Sequence, residues 1–218
     1  KNEFNYESFD YNVCLENGCG HGLFIEGLSK QFQTLLVIDF SMSYLFLAKK
    51  ICEERKITNI RFLCASVENL PIKENSIDLI HSNNVIEHVS DQASMIKEIN
   101  RALSFKGFLF LLSPNKNSAY FEPHYKIPFY GLVPFKIRHW LIFKFQKRDS
   151  LDVQPLSLLE LKQILKDNFL GRLNITFLPS KLKRTAQTSL LRRIIIYLLN
   201  NKLIGSFFSF LLNKVLLG

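Results

Sequence analysis

Between Val13 and Gly22 the chain reads Val-Cys-Leu-Glu-Asn-Gly-Cys-Gly-His-Gly, and few folds accommodate such a run. A short apolar stretch, Val13 to Leu15, ends in Glu16. Glycines follow at 18, 20 and 22, and then Leu23, Phe24 and Leu28 stand at helical spacing. The order is strand, glycine turn, helix. Backbone without Cβ atoms lets a ligand press against the main chain, and the first turn of the helix offers free N–H groups. Taken alone, Gly-x-Gly-x-Gly also fits an ordinary tight turn between strand and helix.

The downstream pattern narrows the choice. Leu35 to Ile38 is a second apolar run of the kind that forms a buried parallel strand, and it closes in Asp39. An acid ending the second strand of a βαβ unit is placed to accept both hydroxyls of a ribose. Ser41 then caps a helix carrying Leu45, Phe46, Ala48 and Ile51. Strands are expected at Asn59 to Cys64, at Ile77 to His81 and, after Gly107, at Phe108 to Leu112. Between the last two, Asp91 to Leu103 forms an amphipathic helix with Ala93, Ile96, Ile99 and Leu103 on one stripe. Five βα units imply an α/β, Rossmann-like, doubly wound and mostly parallel sheet with helices on both faces and a ligand at the carboxyl ends of the strands.

Glu16 with Gly18-x-Gly20-x-Gly22 resembles motif I of the class I S-adenosylmethionine-dependent methyltransferases. The segments Leu70 to Ile80 and Ile86-Glu87-His88-Val89 resemble the same family's fourth-strand region, so the likeness covers residues 11 to 115. The resemblance implies S-adenosyl-L-methionine as cofactor. Glu16 would support its methionine end, and Gly18, Cys19 and Gly20 would lend backbone. Asp39 would hold the ribose and Phe40 pack on the adenine. The position where the family often carries an acid for the adenine amino group is Ser66 here, with the Val67 backbone as the alternative reader. Asn83, beyond the fourth strand, completes the expected contact set. His88, with Glu87 beside it, stands where the family places its acceptor, and an imidazole there suits a general base; capping or packing is its other reading. His81, His124 and His139 rank below it. A narrower likeness joins Asn84 to Val89 with the Glu-x-x-Glu-His-Val stretch of ubiquinone-pathway O-methyltransferases. Its first acid is Asn84 here, so no metal site is expected.

Charge divides the chain. Residues 1–115 hold 11 Lys or Arg against 14 Asp or Glu, and residues 116–218 hold 17 against 5. The basic half begins with an aromatic stretch, 116–150, with nine aromatics between Tyr120 and Phe145 and prolines at 123, 128 and 134. It reads as an insertion or lid over the end of the sheet. Ser157-Leu-Leu-Glu160 is a capping box for a helix to about Asn168, and Arg172 to Leu178 a further strand. From Lys181 the sequence turns basic and then oily, and two short helices are expected within 190–217. Residues 1–180 thus form the methyltransferase domain and 181–218 a helical tail. A transmembrane helix needs about 20 predominantly apolar residues, and neither oily run reaches that length. The expectation is methyl transfer to an oxygen of a small or lipid-linked acceptor, with peripheral membrane contact through 116–150 and 190–218; docking of the tail on the domain or on a second copy of the chain is its other reading. The alternatives are a nucleic-acid-modifying or nucleic-acid-binding protein and a non-catalytic domain. Nucleic acid is disfavoured because the fourth strand runs into His81-Ser-Asn-Asn84 and lacks the Asn/Asp-Pro-Pro-Tyr box. Four cysteines, at 14, 19, 52 and 64, show no metal-ligand spacing and suit reduced thiols in a cytoplasmic protein, peripheral at the inner face of a membrane. The Lys at position 1 suggests a missing N-terminal helix. Oligomeric state is not legible.

Overall fold

A computed structural model describes residues 12–116, 153–169, 174–177 and 208–213, together with Ile137, Trp140, Phe143 and Lys144. Seven strands make one sheet: β1 Val13–Asn17, β2 Thr34–Asp39, β3 Ile60–Cys64, β4 Ile77–Asn83, β5 Leu103–Ser113, β6 Asn174–Phe177 and β7 Phe208–Asn213. Their spatial order is β3-β2-β1-β4-β5-β7-β6. Strands β1 to β5 pair in parallel, while β7 lies antiparallel between β5 and β6. The order reverses between β1 and β4, which opens a crevice beyond their carboxyl ends, where ligands bind in sheets of this kind.

The near-continuous apolar strands are explained by burial on both faces. Side chains alternate across the sheet, so Cys14, Leu35, Val37, Leu79, Phe108 and Phe110 enter one core with Phe24, Ile25 and Leu28. The last two belong to helix α1 (Ile25–Ser29), and Leu45, Ala48 and Cys52 of α2 (Met42–Glu54) join them. Leu15, Ile38, Ile80, Leu109 and Leu111 enter the other core. That core is closed by Met95, Ile96 and Ile99 of α3 (Gln92–Ala102) and by Leu161, Leu165 and Phe169 of α4 (Leu158–Phe169). Each such fully buried side chain contributes about 1.5–3 kcal/mol against exposure.

Local signals set the helix ends. The Asp91 side chain accepts from the Ser94 N–H at 3.0 Å and starts α3. The capping box of α4 forms in both directions: the Ser157 N–H donates to Glu160 Oε2 at 2.7 Å, and the Glu160 N–H to Ser157 Oγ at 3.2 Å. Lys116, at the exit of β5, donates to Glu160 Oε1 at 2.7 Å. Burial raises the Glu160 carboxyl, but the hydrogen bonds from Lys116 and Ser157 outweigh it and bring the group down from 4.5 to about 2.

One expectation changes. Phe208–Asn213 is a strand, not part of a tail helix, so the sheet extends to Asn213. A short apolar run between polar breaks carries no decisive period, and here a place between two existing strands outweighs helix propensity. Within the aromatic stretch, Ile137, Trp140, Phe143 and Lys144 are helical. The rest of 117–152, most of the expected tail and the N-terminal residues 1–11 lie outside the described residues, as do His124 and His139. Because β7 bridges β5 and β6, a chain ending at residue 205 should melt at least ~10 °C below the full chain, the shift that about 3–5 kcal/mol produces at this size. Equal melting temperatures by calorimetry would mean that 206–218 is an appendage.

Candidate functional site

The turn after β1 is knitted to the end of β2. The N–H groups of Gly18 and Cys19 both donate to the Ile38 carbonyl, at 2.9 and 3.1 Å. The Gly20 N–H donates to Asp39 Oδ2, and the Ser41 N–H to Asp39 Oδ1, each at 2.9 Å. Asp39, not the Ser41 side chain, therefore serves the entrance of α2. Each carboxylate oxygen of Asp39 keeps acceptor capacity for a second donor.

Glycine is required at two of the turn's positions for different reasons. Gly18 has φ +85°, and a Cβ there would lie 2.5 Å from Val85 Cγ2, so a neighbouring side chain already fills the space. Gly20 has φ +46°, and a Cβ there would meet nothing within 4 Å. Its open side is the face on which a ligand can approach main chain. The Cys19 side chain turns into the core instead. Burial first, and then the charges of Asp39 and Glu16, push its thiol up to about 12, so it stays neutral.

Buried polar side chains gather at this end of the sheet. Apart from Ser29 and Ser157, those among the described residues lie on or just beyond the carboxyl ends of β1, β2, β4 and β5: Glu16, Asn17, Asp39, His81, Ser82, Glu87 and Ser113. Glu16 and His81 are register partners across β1 and β4, and His81 Nδ1 lies 2.5 Å from Glu16 Oε2. The side-chain polar atoms of Asn17, Ser82 Oγ and Asn83 Oδ1 find no hydrogen-bond partner among the described residues. Such groups in a folded interior ask for a polar ligand or water.

The second and third strands bring the expected adenine side together. The Ala65 N–H donates to the Asp39 carbonyl at 3.1 Å, which sets Ser66 and Val67 beside Asp39 and Phe40. Phe40 is 79% exposed and Met42 67%, an apolar rim that the sequence reading recognised only at Phe40. Ser66 is exposed and bonded to Glu68, whose backbone N–H it receives at 3.2 Å, while the Val67 side chain is buried.

Beyond β4 the pair Glu87 and His88 is split. His88 is exposed, whereas Glu87 is fully buried and its Oε2 accepts from Ser113 Oγ at 3.1 Å. Glu87 thus braces the end of β5, while His88 next to it faces outward. Asn84, where the narrower likeness has an acid, takes φ +54°, a left-handed conformation that asparagine tolerates well. Sequence reading passed over Asn17 and Ser82 and ranked His81 low. The signal for His81 was its alternation with Leu79 along β4, which puts it on the Glu16 face.

These residues fit the cofactor that the resemblance implies. Gly20 offers open backbone, Glu16 and Asp39 offer carboxylates, and Asn17, Ser82 and Asn83 offer polar atoms that want partners. Residues 15–111 match the family described as Methyltransferase domain. A ubiquinone biosynthesis O-methyltransferase of Coxiella burnetii is 33% identical over 103 residues, 47% of this chain and 44% of that protein. The chain thus spans less than half the length of the curated relatives it matches. Among solved structures, the YcgJ protein of Bacillus subtilis superposes with a TM-score of 0.66 at 16% identity, covering 96% of this chain and 94% of that one. Geranyl diphosphate C-methyltransferase from Streptomyces coelicolor A3(2), solved with Mg2+, geranyl diphosphate and S-adenosyl-L-homocysteine, superposes at 0.60 and 17% identity, over 94% and 74%. Both show the same fold.

Gly18→Ala should cost about 3 kcal/mol in urea denaturation, from the left-handed backbone and from the crowding of Val85 together. Adding Val85→Ala should recover the crowding part. No loss in the single variant would show that the turn is looser than the structure has it.

Proposed function

We propose, from the match of residues 15–111 to the family described as Methyltransferase domain, that this protein transfers the methyl group of S-adenosylmethionine to an oxygen of a small or lipid-linked acceptor. The observation that carries this reading is the meeting of two buried carboxylates, Glu16 and Asp39, with the open side of Gly20 at the crevice between β1 and β4. Carboxylates held in an apolar setting favour a cationic guest. The cofactor supplies an electrophilic methyl group on sulfur. Asp39 holds the ribose hydroxyls, Glu16 the amino-acid end, and Phe40 and Met42 cover the adenine, while Asn17, Ser82 and Asn83 supply further polar contacts. Alignment of acceptor and methyl accounts for most of the rate, and a base is needed only where the acceptor must lose a proton. His88, exposed beyond β4, takes that part.

The oxygen acceptor is supported by the relative named as a ubiquinone biosynthesis O-methyltransferase. An oily acceptor is supported by the aromatic stretch after β5. Ile137, Trp140 and Phe143 are helical at three-residue spacing and 50%, 51% and 57% exposed, with Lys144 Nζ 4.7 Å from the Trp140 ring. Residues 136–148 hold Lys136, Arg138, Lys144, Lys147 and Arg148 and no acid. Aromatic and basic residues together suit the headgroup layer of an anionic leaflet, each cation contributing about 1 kcal/mol there. No helix of the described residues is long and apolar enough to cross a membrane. Peripheral contact at the inner, cytoplasmic face, through 116–150 and those residues of 190–218 that lie outside β7, is the arrangement proposed.

Two measurements test the reading. By calorimetry, Asp39→Ala should weaken S-adenosylhomocysteine binding at least ~100-fold, since charge-assisted hydrogen bonds contribute about 1.5–3 kcal/mol each, whereas His88→Ala should bind like the wild type. Unchanged binding by Asp39→Ala would remove the ribose role. In flotation assays the chain should rise with vesicles containing phosphatidylserine and stay down with pure phosphatidylcholine, and Trp140→Ala with Phe143→Ala should weaken the first. A chain that ignores anionic vesicles at low salt has no membrane-docking surface.

A further inference from the structure

The Glu16–His81 pair is a feature that neither the glycine motif nor the ribose acid explains. His81 is fully buried, and its ring lies between two phenylalanines. Phe110 is stacked on it at 5.4 Å between centroids and 14° between planes, and Phe24 is tilted against it at 4.7 Å. This clamp fixes the ring plane. Nδ1 meets Glu16 Oε2 at 2.5 Å, and Nε2 has no hydrogen-bond partner among the described residues.

An imidazolium would place a second N–H donor, unpaired, among aromatic rings, and unpaired buried donors are costly. A neutral ring with its proton on Nδ1 leaves only a lone pair there. The clamp and the hydrogen bond therefore select the Nδ1–H tautomer. That N–H donates to Glu16 Oε2 and fixes the direction of the carboxyl group where β1 ends and the glycine turn begins. Asn17 and Ser82, next in sequence to each partner, hold the unsatisfied polar atoms already described.

We infer that His81 is a positioning residue for the cofactor: through its Nδ1–H it orients the Glu16 carboxylate toward the α-ammonium group of the cofactor's amino-acid end. The inference rests on the cofactor reading above and assigns a role to His81 that the turn motif does not contain. His81 touches Glu16, not the reacting atoms, so its effect belongs to binding of one end of the ligand and not to the adenosine end.

The test uses calorimetry on the full chain with two probes. S-adenosylhomocysteine carries the ammonium group; 5′-methylthioadenosine keeps the adenosine and lacks the amino-acid end. His81→Phe preserves the aromatic stack and removes the donor, and His81→Asn places an amide N–H near the Nδ1 position. His81→Phe is expected to weaken S-adenosylhomocysteine at least ~10-fold and leave 5′-methylthioadenosine within about twofold, as loss of one hydrogen bond to a charged group predicts. His81→Asn should recover most of the loss, and in a Glu16→Gln background His81→Phe should have no further effect. Should the stack fail to hold the phenylalanine, both probes would weaken together, and restoration of S-adenosylhomocysteine alone by His81→Asn then decides for the inference. Equal binding of S-adenosylhomocysteine by wild type and His81→Phe overturns it, as does parallel weakening of both probes in all His81 variants. No binding of either probe by the wild type overturns the cofactor reading itself, a different result.

Discussion

Three main-chain N–H groups of one turn converge on the end of the neighbouring strand, and the site depends on that convergence. Gly18 and Cys19 share the Ile38 carbonyl, and Gly20 takes one oxygen of Asp39. The turn cannot lift from the sheet without losing all three bonds. Its donors are spent inward, yet the outer side of Gly20 stays open. The same bonds align Asp39, whose other oxygen receives the Ser41 N–H and so fixes the start of α2. One carboxylate thus joins a turn, a strand and a helix before any ligand is considered.

Burial of charge is the second constraint. Glu16, Asp39 and Glu87 are all nearly inaccessible, at 2%, 5% and 0% exposure, and an uncompensated carboxylate in such a place costs several kcal/mol. Each is met differently: Asp39 by backbone N–H groups, Glu87 by the Ser113 hydroxyl, and Glu16 by the His81 ring. Three acidic side chains thus stand together at the carboxyl end of the sheet, each held in place by its own donor. The second half of the chain is strongly basic, so the two halves differ in the chemistry they present. The first suits a cationic small molecule, and the charge of the second is the basis on which an anionic surface is proposed as its partner.

The sheet core was legible because its strands are apolar throughout and its helices carry one stripe each. Leu35 to Ile38 closing in Asp39, and Ser157 with Glu160, announce their structures with residues whose chemistry has few other uses there. β7 was not legible: Phe208-Ser-Phe-Leu-Leu-Asn has no polar alternation to fix its period, and its place is set by the edge of β5, more than 90 positions earlier in the chain. The site divides in the same way. Glycines and acids within the turn motif could be read, because backbone shape and charge act locally. The split of Glu87 from His88 could not, since it depends on where Ser113 ends β5. His81 became meaningful only through register with Glu16, a relation between strands that no local window contains.

The central claim is that the crevice between β1 and β4 takes an S-adenosyl ligand, and backbone amide chemical shifts of the isotope-labelled chain, titrated with S-adenosylhomocysteine, test it most directly. The account predicts saturable shifts at Gly18 to Gly20, at Asp39 to Met42, at Ser66 and Val67 and at Ser82 to Val85, with the amides of α4 unmoved. Saturation without shifts at Gly20 and Asp39, or shifts centred elsewhere on the sheet, would contradict it.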